Sequence, residues 1–117
     1  MSLSMNNAEV LEYIRRNLLN RFSVLQLQDG IQIYGIIDRP SFLKSNDQFT
    51  MYVMDDRANE LVVKGFNIQK VKEASLGDFE IHVNKADITE ARLANDREMH
   101  DYIRVMNENF YKEQVKP

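Results

Sequence analysis

Cysteine and tryptophan are absent from this 117-residue chain, proline and histidine occur twice each, and glycine four times. Without cysteine there is no disulfide, no thiolate nucleophile and no cysteine-ligated metal. The two histidines, His82 and His100, would need carboxylates to complete a metal site, and no ligand spacing joins them. No apolar run approaches the ~20 residues that a membrane-spanning helix requires. Met1-Ser2-Leu3-Ser4 has neither the basic start nor the apolar stretch of a secretory leader. The expectation is a cytoplasmic chain with no cofactor and no membrane partner, in which residues 1–6 are disordered or an expression remnant. A hydrophobic share of 44% and a charged share of 28% suit an ordinary globular domain with one modest core. The net charge of −3 lacks the basic balance that broad nucleic-acid affinity needs. Charges balance between Arg21 and Glu73 and the acid excess follows Ala74, so any nucleic-acid contact has to be local to a loop.

What the chain does have is clear periodicity. Asn6-Asn7-Ala8-Glu9 is a capping box, with Val10, Leu11, Ile14 and Leu18 behind it at helical spacing, which predicts a helix from about Asn7 to Asn20. Arg15 and Arg16 fall on its solvated side, either as a wet face or as a binding patch. From Ser23 the period becomes two: Leu25 and Leu27 alternate with Gln26 and Gln28, and Asp29-Gly30 supplies a hairpin turn that favours positive φ. Ile31, Ile33, Gly35 and Ile37 continue the apolar face, and Gly35 in mid-strand marks a bend or a close main-chain approach. Arg39-Pro40 to Asp47 is expected to be a loop, followed by a strand from Phe49 to Met54. Asp55 to Asn59 then turns the chain into Leu61-Val62-Val63, and Lys64-Gly65 leads into Ile68 and Val71.

After Gly77, Phe79, Ile81 and Val83 alternate with polar residues as a further strand. Asp87-x-x-Glu90 and Asn95-x-x-Glu98 both have the form of capping boxes, and Met99, Ile103, Met106 and Phe110 make one apolar seam on a helix from about Asp96 to Lys112. The prediction is a mainly β fold with helices: an N-terminal helix and a strongly bent five-stranded antiparallel barrel over residues 7–73, with a strand and helix appended over 74–117.

The stretch Val62-Val63-Lys64-Gly65-Phe66-Asn67-Ile68 resembles the second signature of the Sm and Sm-like RNA-binding proteins, an aliphatic-Arg/Lys-Gly-x-Asn-aliphatic turn. Leu25 to Gly30 followed by Ile33-Tyr34-Gly35-Ile36-Ile37 is similar to the opening signature, and helix, first signature, spacer and second signature come in the family's order. The resemblance covers about Val10 to Glu73 and implies a homo-oligomeric ring in which the fourth strand of one subunit pairs with the fifth of the next. Here Leu61, Val62 and Val63 would meet Ile68 and Val71 of the neighbour. It also implies single-stranded RNA held at inner loops, with no catalytic role. Small Sm-like chains with appended helices occur in bacteria and their viruses.

Carried onto this chain, the RNA-binding positions are Lys64, Gly65, Phe66 and Asn67 in the second signature and Asp47, Phe49 and Thr50 in the first. The family's base-binding asparagine is missing from the first signature, where Thr50 offers one hydroxyl in place of an amide. Lys64 keeps a charge but not the planar guanidinium that stacks on bases. Phe49 is either a stacking platform or core, since it alternates in phase with Met51 and Val53. Two functions therefore stay open: an RNA chaperone or scaffold, and a structural or protein-interaction ring that has lost base recognition, with the C-terminal helix available to other proteins. Asp96 and His100, four apart on the last helix, and the Asp55-Asp56 pair assemble no nucleophile–base set, so an enzyme is not expected.

Overall fold

The computed structural model describes residues 6–53, the main chain of 68–70, and residues 79–104. The chain begins with α1 (Asn7–Asn17), followed by β1 (Phe22–Leu27), β2 (Gln32–Ile37), α2 (Arg39–Lys44), β3 (Gln48–Val53) and β4 (Ile68–Lys70). β5 (Phe79–Asn84), a 3-10 turn (Lys85–Asp87) and β6 (Ile88–Leu93) come next, and a final helix, α3, is described over 96–104. The fold is mainly β with helices at both ends.

Six strands form one antiparallel sheet in the order β4-β5-β3-β2-β1-β6. That order and the short β5–β6 connection together require the sheet to bend. In a flat sheet β5 and β6 would stand four strand spacings apart, roughly 19 Å. The four residue steps from Asn84 to Ile88 reach at most ~14 Å, and a 3-10 turn reaches less. The sheet therefore curls until β5 and β6 meet at that turn.

Alternation builds the inside. Leu25, Leu27, Ile33, Ile37, Phe49, Met51, Val53, Ile81 and Val83 all point inward and are buried. Val10, Ile14 and Leu18 of the first helical segment close the same core, and Phe42 of α2 enters it with its ring edge-on to Phe49, centroids 5.0 Å apart. Each large side chain so buried contributes about 1.5–3 kcal/mol. Gly35 is where main chains come closest: a Cβ there would lie 2.4 Å from the Tyr52 carbonyl oxygen on β3. Gly30 has φ +85° in the β1–β2 turn, where Asp29 Oδ1 accepts from the Ile31 N–H at 3.3 Å.

Several expectations are corrected by this arrangement. α1 ends at Asn17 rather than near Asn20, with Leu18 as its C-cap and Asn20 at φ +60° turning the chain into β1. Residues 39–44 form α2 and not a loop: Asp38 caps it through the Ser41 N–H at 3.0 Å, and Pro40 sits in the first turn, where a missing N–H costs nothing. Asp87-x-x-Glu90 does not start a helix; Ile88–Leu93 is β6, paired to β1. Consequently Phe79–Asn84 is not an appendage either, since β5 lies between β3 and β4. On α3 the capping box is present, with Asn95 and Glu98 exchanging hydrogen bonds of 2.9 Å. Its seam is displaced, however: Tyr102 turns inward to stack on Phe22 at 4.3 Å, with Met99 half-buried beside it, while Ile103 is 49% exposed. Met106 and Phe110 lie outside the described residues, as do Leu61–Val63 and Val71; Ile68 is in β4, opposite Ile81 of β5.

Candidate functional site

The 3-10 turn that closes the sheet is the most heavily tied point of the described chain. Lys85 donates its main-chain N–H to the Asp47 carbonyl at 2.8 Å. Its ammonium donates to the carbonyls of Phe42, at 2.7 Å, and Ser45, and lies 4.1 Å from the centre of the Phe42 ring. Partial burial holds the Lys85 pKa below the usual lysine value, opposed by the Asp47 carboxylate. From α1, the Asn7 amide donates both hydrogens, to Lys85 O and Ile88 O, each at 2.9 Å. From the β1–β2 hairpin, Gln28 N–H donates to Asp87 O at 2.9 Å. One turn thus holds α1, the β1–β2 hairpin and the α2–β3 loop together.

Lys85 was not singled out by sequence reasoning. The available signal was Asn84-Lys85-Ala86-Asp87 between the apolar residues Val83 and Ile88, a tight break with a cation between two strands. The capping-box pattern of Asp87 and Glu90 obscured it.

Asp47, Phe49 and Thr50 stand beside this turn, but in different roles. Phe49 is 1% exposed, so its ring is core and cannot stack on a base. Thr50 lies on the outer face opposite His82; its N–H donates to Ser41 Oγ at 2.9 Å and its carbonyl accepts from Asp38 N–H at 2.9 Å. Asp47 is exposed and presents a carboxylate to solvent. Asp87 also faces this rim, accepting from the Asn84 amide at 3.4 Å. The rim of residues 45–48 and 84–87 therefore carries two carboxylates, while its cation is turned in on carbonyl oxygens and an aromatic ring. Lys64, Gly65, Phe66 and Asn67 lie outside the described residues.

Comparison with family models, with curated proteins and with solved structures finds no match to this chain.

Elsewhere some of the charged groups form local ion pairs. Glu12 on α1 accepts from Arg15 and Arg16, whose guanidinium groups lower its pKa to about 2. Tyr52 on the outer face has its hydroxyl 3.5 Å from Asp38 Oδ1, and burial, with Asp38 and Glu80 nearby, raises its pKa. Among the described residues no group of three or more His, Asp or Glu side chains is placed to hold a metal ion, and no helix is long and apolar enough to cross a membrane.

Proposed function

We propose that this chain is a non-catalytic barrel module of the Sm-like kind that pairs with copies of itself and serves as a structural or protein-interaction ring. The observation that carries this reading is the commitment of Lys85. At a turn such as the one joining β5 and β6, a nucleic-acid rim would present a cation outward. Here the ammonium is held by the Phe42 and Ser45 carbonyls, while the Asp47 carboxylate faces solvent and Asp87 lies half-buried beside it. Phosphate approaching that rim meets like charge.

An N-terminal helix ahead of an antiparallel sheet that curls back on itself supports the Sm-like likeness. The sheet ends support self-pairing. Among the described residues β6 pairs only with β1, and at the other end β4 covers β5 from Phe79 to Ile81. Strand edges with free main-chain groups invite a partner strand. Ala94 N–H donates to Phe22 O, so by alternation the N–H groups of Ala91 and Leu93 point away from β1.

Anisotropy with fluorescent uridine and adenine homopolymers at two salt concentrations tests the choice of ligand. The reading predicts no binding at micromolar protein. Tight, base-selective binding that falls steeply with salt and disappears in Lys64→Ala would return the function to RNA.

A further inference from the structure

A second feature lies on the outer face of the sheet, away from the closing turn. Registration places Gln26 of β1 directly between Gln32 of β2 and Glu90 of β6, with Val24 next to them between Tyr34 and Arg92. These two rows frame a cleft of about 80 Å³ lined by Val24, Gln26, Gln32, Glu90, Ala91 and Arg92. A β-bulge at Gln26/Leu27 shapes it: Thr89 is the extra residue, its hydroxyl donating to Gln26 O at 3.1 Å, and the shift keeps Ala91 inward and Glu90 outward. Bulges of this kind re-aim side chains. α3 covers the neighbouring part of the face through Tyr102 and Met99.

The chemistry of the cleft is one-sided. Val24 supplies an apolar floor. Arg92 is neutralised by a two-point pair with Glu98, at 2.7 and 2.9 Å. Gln32 already accepts from the Tyr34 hydroxyl at 2.9 Å. Among the described residues the Glu90 carboxylate and the Gln26 side-chain amide have no partner, so the cleft presents a carboxylate beside an amide, over Val24. We infer that it receives the guanidinium of an arginine side chain on a partner protein. The planar fork matches two carboxylate oxygens plus a neighbouring acceptor, as an ammonium cannot. The methylene stem would lie on Val24.

The inference takes its ligand class from the protein-interaction reading but does not depend on ring assembly, which mass measurement reads separately. The probe is an acetylated Gly-Arg-Gly amide, titrated into isotopically labelled protein and followed by amide chemical shifts. The expected result is saturable shifts centred on Gln26, Gln32 and Ala91. Affinity should fall at least tenfold when citrulline replaces arginine, at least tenfold in Glu90→Gln and several-fold in Gln26→Met. Glu90 is exposed, so its variant should keep the wild-type spectrum elsewhere. Absence of saturable shifts, equal binding of the citrulline peptide, unchanged affinity in Glu90→Gln, or tighter binding of a guanosine nucleotide at the same amides would overturn it.

Discussion

Replacing Lys85 by methionine isolates what the closing turn contributes. Methionine keeps most of the stem and its packing on Phe42 but removes the ammonium. The Phe42 carbonyl, in the last turn of α2, has no partner within the helix, and the Ser45 carbonyl follows just beyond it. A hydrogen bond from a charged donor is worth about 1.5–3 kcal/mol when well buried. Lys85 is half-buried, so solvent screening reduces each of its two bonds to about 1 kcal/mol. The ammonium over the ring adds about 0.5 kcal/mol. The sum is roughly 2–2.5 kcal/mol, which for a domain of this size lowers Tm by about 6–12 °C. Calorimetry on wild-type and Lys85→Met protein at neutral pH measures it, with urea unfolding as a second readout. A drop below about 2 °C would refute the reasoning, because it would mean the amine is free in solution and available to an external ligand.

Two further substitutions probe other parts of the fold. Gly35→Ala drives a methyl into the Tyr52 carbonyl and should cost about 1–3 kcal/mol through forced separation of β2 and β3; a melting temperature within 1 °C of wild type would contradict the close approach. Tyr102→Ala removes the ring stacked on Phe22, so amide exchange in 96–104 should accelerate while β1, β2 and β3 keep their protection. Uniform loss of protection would mean that the outer cluster is continuous with the inner core.

Much of the inner layer was legible because period-two alternation survives burial on one face: Leu25, Leu27, Ile33 and Ile37 were assigned inward, and they are. Gly35 was equally legible, since a glycine in mid-strand has few reasons to be there other than close approach. α2 is hidden because Pro40, which cannot donate to a strand ladder, reads as part of a loop, whereas Asp38 three residues before Ser41 is also a helix cap. β6 was missed because Asp87 and Glu90 have capping-box spacing; the pattern says nothing about whether an apolar helical face follows, and only Ile88, Ala91 and Leu93 around a bulge did. The inward turn of Lys85 was not readable at all, as it depends on Phe42 and Ser45, about 40 residues earlier. Phe49 shows the same limit from the other side. Its alternation with Met51 and Val53 pointed to core, and its position in a family motif pointed to a ligand; burial decides for core.

Self-pairing through the sheet edges is the central claim, and light scattering coupled to size exclusion at micromolar concentration tests it most directly. Wild-type protein should elute with a mass several times that of one chain. Ala91→Pro, which removes an outward N–H from β6 without touching the β1 ladder, should reduce that mass to one chain while the circular dichroism spectrum stays that of the folded protein. A single-chain mass for the wild type would contradict the account.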